Sequence, residues 1–138
     1  LNGLGIPLNT DSTLKGQTVF LAERCAELMN NEIITDRTII DVMAFTQNAK
    51  SIPYQDKDKF IEYAKEFIRE YDYIFYISPH GIPVEDNGVR ETDEHYRDLI
   101  DFTITTLIKR YGYMANKVEK ISGSTDERVE QILKFTNL

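Results

Sequence analysis

Residues 31–49, NEIITDRTIIDVMAFTQNA, decide the fold class. The β-branched run Glu32-Ile33-Ile34-Thr35 predicts a short buried strand that stops at the charged pair Asp36-Arg37. Ile39, Ile40, Val42, Met43 and Phe45 then recur at helical spacing. A charged pair at the carboxyl end of such a strand faces the edge where α/β sheets bind ligands. The plainer reading makes Asp36 the cap of the next helix and Arg37 a solvated cation.

Working outward, the same alternation repeats. Residues 1–12 carry Gly3, Gly5 and Pro7 and read as loop, and a helix is expected from about residue 13 to 30 on Leu14, Thr18, Leu21, Cys25, Leu28 and Met29. After the Asp36-Arg37 helix, Pro53 breaks the pattern; a further helix runs from about Gln55 to Tyr71 with Phe60, Ala64, Phe67, Ile68 and Tyr71 inward. Tyr73-Ile74-Phe75-Tyr76-Ile77 is continuously apolar and predicts a strand buried on both faces. The long loop PHGIPVEDNGVRET follows, and Thr92 is expected to cap a helix over 93–111. A third strand at 117–121 passes through Ser122-Gly123 into a last helix, with Ser124 and Glu127 forming a capping box. Short apolar strands alternating with helices predict one α/β domain over residues 1–138, its parallel sheet covered by helices on both faces.

Composition narrows the function classes. A net charge of −7 argues against broad electrostatic binding to nucleic acid or an anionic membrane, so any anionic ligand must be met by a few placed arginines. The single Cys25 allows neither a disulfide nor a cysteine metal site within the chain and reads as a buried apolar residue, with a reactive thiol as the alternative. His80 and His95 lack metal-ligand spacing and read as surface residues. No stretch has the length of a membrane span or the pattern of a secretory signal, which makes the cytoplasm the expected setting.

In a parallel sheet all carboxyl ends open on one edge, so Asp36-Arg37, the 78–92 loop and Ser122-Gly123-Ser124 are expected to converge. A carboxylate beside a guanidinium suits phosphoryl transfer, because the acid holds Mg²⁺ or orients a hydroxyl while arginine grips phosphate oxygens. Arg90 in the loop and Arg97 early in the next helix are placed to close over a transferring group, which makes 79–97 lid-like. Each has a plainer alternative: Arg97 as a helical partner of Asp93 or Glu94, Arg90 as a partner of Asp86 or Glu91. No Gly-x-x-x-x-Gly-Lys-Ser/Thr loop occurs, and Leu14-Lys15-Gly16-Gln17-Thr18 does not replace it.

Four segments, GIPLNTDST (5–13), IITDRTIIDVMAFT (33–46), YDYIFYISPHGIPVEDNGVRETDEHYRD (71–98) and ISGSTDERVEQIL (121–133), occur in that order and span most of the chain. In them the chain resembles the P-loop nucleotide kinase-like ATPases that include the ribosylnicotinamide kinase domain of the bacterial NAD regulator, often labelled an AAA domain. The GIP-x-EDNGVR-x-TD-x-x-YR segment is the specific part; an Asp-Arg pair after a strand is weak by itself. The resemblance implies a P-loop kinase-like three-layer sandwich and a Mg²⁺-ATP-dependent kinase of a nucleoside, nucleotide or related metabolite. Under it Asp36 is the Mg²⁺-associated or base-like acid, Arg37 the acceptor-site arginine, and Arg90 and Arg97 lid arginines. Gly123 and Ser124 would border an adenine ring.

The departure is that such proteins open with a strand, the phosphate loop and a helix, roughly 40 residues that are not in this sequence. In the family sheet that strand lies between the strand ending at Asp36 and the one at 73–77. Its absence leaves two apolar strand edges unpaired, which leads to the expectation of a second chain or a separate N-terminal segment that completes the sheet. The alternative functions are a phospholigand-binding switch without turnover and a non-catalytic assembly partner.

Overall fold

The computed structural model describes residues 12–30, 33–78 and 94–137. Five α-helices and two strands are formed among them: α1 (Leu14–Leu28), α2 (Ile39–Gln47), α3 (Tyr54–Ala64), β1 (Tyr73–Ile77), α4 (Glu94–Tyr111), β2 (Lys117–Ile121) and α5 (Thr125–Thr136). The chain is mostly helical around a small parallel sheet, within the broad α/β class. None of the described helices is long and apolar enough to cross a membrane.

The short α2 is the centre of the core. Ile39, Met43 and Ala44 are completely buried, and α1, α3 and α4 all pack against it. A helix surrounded this way must be apolar nearly all round, as IIDVMAFTQ is. Two polar contacts tie it to its neighbours. Buried Gln17 on α1 donates through Nε2 to the Val42 carbonyl at 3.2 Å and to Thr46 Oγ1 at 3.0 Å. Asn48, just past α2, donates through Nδ2 to Thr103 Oγ1 on α4 at 3.0 Å. Both supply the partners that a buried polar group requires.

Three helical expectations need correction. On α1 the inward residues are Gly16, Gln17, Phe20 and Leu21, whereas Leu14, Thr18 and Met29 are exposed and Cys25 is half-buried. The Gln17 amide finds acceptors on α2, and this rotates the stripe away from one counted on apolar residues alone. The helix expected to reach Tyr71 tightens after Ala64 into a 3₁₀ helix, Lys65–Glu70. On α4, the helical spacing of Tyr96, Leu99, Ile100, Thr103, Ile104, Leu107, Ile108 and Tyr111 predicts one inward stripe, but Leu99 is exposed and Ile104 and Ile108 are half-buried.

The sheet departs further from expectation. β1 and β2 pair in parallel with Tyr73 opposite Lys117 and Ile77 opposite Ile121. Residues 33–35, expected as a third strand, form none, and Glu32 lies outside the described residues. Ile33 is 43% exposed and Ile34 89%. The physical reason is the lack of a neighbour: among the described residues no strand but β2 pairs with β1, and an extended segment without a ladder has nothing to fix it in a sheet.

Burial of β1 on both faces is also only partly realised. Alternation puts Ile74 and Tyr76 on one face, toward α4, and Tyr73, Phe75 and Ile77 on the other. The first face is well covered, with Ile74 buried. On the second, Tyr73 and Phe75 stack at 5.9 Å and Phe75 meets Phe135 of α5 at 6.3 Å. Ile77 remains 42% exposed there, and α5 buries none of its own residues completely. Helices α4 and α5 therefore occupy opposite faces, but the α5 side is thinly covered.

Candidate functional site

The parallel register sets Ser78 and Ser122 side by side, each the residue after its strand, so the carboxyl ends of β1 and β2 share one edge. Helix α4 brings its first turn to that edge. It enters after the chain has left β1 at Ser78, and its last turn runs into the 3₁₀ helix Gly112–Met114 beside β2. It thus runs antiparallel to the strands, with Tyr96 and Arg97 at the carboxyl end of the sheet.

The second element is the turn before α2. Thr35 Oγ1 donates to the Arg37 carbonyl at 2.8 Å, which holds the turn. Thr38, not Asp36, is the cap: its Oγ1 accepts from Ile40 N–H at 3.1 Å, and its own N–H donates to the Asp41 carboxylate at 2.8 Å. Burial pushes the Asp41 carboxyl up, opposed by its bond to the Thr38 backbone and by the charge of Arg37. Asp36 is exposed at the bend. The reading of Asp36 as a helix cap is therefore excluded by the geometry, since Thr38 and Asp41 take that task.

Arg37 is exposed as a residue, but its guanidinium lies over the Phe45 ring, 5.7 Å from the centroid. Phe45 in turn meets Tyr96 at 6.4 Å between ring centroids. Through these two rings the Arg37 head group is linked to the first turn of α4, the turn that also carries half-buried Arg97. Arg90, His80 and the rest of the 79–93 segment lie outside the described residues, as does 5–11. His95 is exposed, as expected for a surface residue.

At the end of β2, Gly123 adopts φ 97°, a conformation that favours glycine. Ser124 is the α5 cap: its Oγ accepts from Glu127 N–H at 3.1 Å, and its N–H donates to Glu127 Oε1 at 3.0 Å. These bonds to the Ser124 backbone and side chain pull the Glu127 carboxyl below its usual value. Gln131 clamps Ser122 from the same helix, accepting from its N–H at 3.1 Å and donating to its carbonyl at 2.7 Å. The capping box is thus present as read, and the Ser124 N–H is already engaged by it.

Among the described residues no group of three or more His, Cys, Asp or Glu is placed to hold a metal ion. Comparison with protein-family models, with curated proteins and with solved structures finds no significant match.

Two residues of this region escaped the sequence reading. Tyr76 donates a hydrogen bond to Asp101 Oδ1 on α4, and the Ser78 side chain is bonded to the same phenol. Burial first, then the neighbouring Asp101, push the Tyr76 phenol up to about 12. A signal was available: Asp101 stands four residues after Arg97, on the same face of a helix that follows an aromatic strand.

Proposed function

We propose that this chain belongs to an ATP-dependent enzyme that transfers the γ-phosphoryl group to a small molecule, a nucleoside, nucleotide or related metabolite, in a cytoplasmic setting. The single observation that carries the reading is the chain of ring contacts that runs from the Arg37 guanidinium through Phe45 to Tyr96 in the first turn of α4, the helix turn that also carries Arg97. In a protein of net charge −7, two arginines linked through these rings suit a local anion site. Arg37 grips phosphate oxygens on the acceptor side; Arg97, with Arg90, offsets the charge that develops on the transferring group. Asp36 orients the acceptor hydroxyl or takes Mg²⁺. When bound, Mg²⁺ neutralises charge on the phosphates. Gly123 and Ser124 border the base.

The donor-phosphate loop, in this reading, comes from a polypeptide segment outside these 138 residues, on the same or a second chain. Its strand fills the gap between residues 33–35 and β1 and makes the complete domain a three-layer α/β sandwich. Support comes from the second edge of β1, unpaired among the described residues, and from exposed Ile33 and Ile34.

The test takes the protein as isolated from its natural source, with Mg²⁺, γ-labelled ATP and a panel of nucleosides and nucleotides. Transfer of label to one acceptor class is expected. Tight ATP binding with no transfer to any acceptor favours the switch reading, and no ATP binding contradicts both.

A further inference from the structure

A chain of hydrogen bonds crosses from the sheet to α4 at the carboxyl edge. The Ser78 side chain bonds the Tyr76 phenol, and the phenol donates to Asp101 Oδ1. Tyr76 and Asp101 are both half-buried, where such a bond is shielded from competing water. It is the described polar side-chain contact between β1 and α4, and a bond from a rigid ring to a helical carboxylate fixes rotation about the helix axis as well as distance. Arg97 precedes Asp101 by four residues. Side chains four apart share one face of a helix, and each leans toward the helix N-terminus. With Asp101 facing β1, Arg97 projects from the same face one turn nearer the edge where Ser78 and Ser122 lie.

We propose that Tyr76 and Asp101 are positioning residues whose hydrogen bond sets the rotation of α4, so that Arg97 is presented to an anion at the carboxyl end of β1. The proposal rests on the phosphate-binding reading of Arg37 and Arg97. It assigns Tyr76 a task that its place in an apolar strand does not require. The neighbouring Tyr73 and Phe75 do the packing work of the strand with each other and with Phe135.

The experiment is calorimetric titration of inorganic tripolyphosphate into the 138-residue chain and its Tyr76→Phe, Arg97→Ala, Tyr76→Phe/Arg97→Ala and Ile108→Val variants. Tyr76→Phe keeps the net charge and almost the whole volume of the side chain, so electrostatics and packing are held nearly constant. We expect it to weaken binding about fivefold, the penalty of a charge-assisted contact slightly out of place. The double variant should bind no more weakly than Arg97→Ala alone, because the bond acts only through Arg97. Ile108→Val perturbs the packing of α4 without touching the bond; it should lower the unfolding midpoint and leave affinity unchanged. A lowered midpoint in Tyr76→Phe with wild-type affinity, while Arg97→Ala loses affinity, makes the bond purely structural and overturns the proposal but not the anion site. Wild-type affinity in Arg97→Ala overturns both the anion role of Arg97 and the proposal.

Discussion

The guanidinium of Arg37 lies over the ring of Phe45 on α2, 5.7 Å from its centroid, and Phe45 in turn meets Tyr96 in the first turn of α4. At an exposed site a cation over an aromatic face contributes about 0.5–1 kcal/mol. A double-mutant cycle with Arg37→Ala and Phe45→Leu, read by urea unfolding, should return a coupling energy in that range. Strict additivity means that the ring does not hold the cation.

The buried Ile39 N–H at the start of α2 donates to the Tyr71 hydroxyl at 3.0 Å. Tyr71→Phe leaves that donor without its acceptor and should cost about 1–3 kcal/mol in urea unfolding. A cost near zero means that another acceptor or a water replaces the hydroxyl.

The same residue makes stability fall in alkali. Burial, the first cause, and nearby carboxylates raise the Tyr71 phenol from 10.0 to about 12, despite its bond to the Ile39 backbone. Tyr76 is raised to about 12 as well, by burial and Asp101. The folded chain therefore holds protons that the unfolded chain has begun to lose. This contribution is complete below the unfolded value near 10 and disappears as pH rises toward about 12. Urea midpoints measured across that window should fall, and fall less steeply in Tyr71→Phe; parallel curves contradict the assignment.

Gly123 sits at φ 97°, and a Cβ there would lie 3.0 Å from the Glu127 carboxyl carbon. Gly123→Ala therefore combines an unfavourable left-handed backbone with crowding of the α5 capping box, and about 1–2 kcal/mol should be lost. Hydrogen exchange should show the first turn of α5 opening before the rest of the helix. An unchanged midpoint means that the turn relaxes to another conformation.

Ile34, 89% exposed, should accept Ile34→Lys within about 0.5 kcal/mol in the 138-residue chain. In the complete domain of the proposal the same change should be destabilising, because the proposed sheet would bury this side chain. Equal tolerance in both contradicts the proposed strand between residues 33–35 and β1.

How much of this was legible in the sequence depends on whether a residue's partner is near in the chain. The β2 strand at 117–121, the Ser124–Glu127 capping box and the apolar stripe of α2 rest on local spacing, and the structure matches them. The run Glu32-Ile33-Ile34-Thr35 has strong local strand character, but a strand exists only with a neighbour, and no neighbour for it is among the described residues. Gln17 was passed over for a complementary reason: a polar residue within an amphipathic helix reads as surface unless its acceptors, here on α2, are known. Of the expected site, Gly123 and Ser124 follow the end of β2, Arg97 lies in the first turn of α4, and Asp36 and Arg37 stand exposed in the turn before α2. Phe45, Tyr96 and Tyr76 carry the geometry, and their contacts cross between elements that sequence spacing does not relate.

The central claim is that Arg37 and Arg97 together make a phosphate site. Titration of tripolyphosphate into the wild-type chain and the Arg37→Ala/Arg97→Ala variant tests it most directly, with the unfolding midpoint of each recorded alongside. Each charge-assisted bond to phosphate is worth about 1.5–3 kcal/mol, so the variant should bind at least about tenfold more weakly while remaining folded. Equal affinity in the two folded proteins would contradict the account.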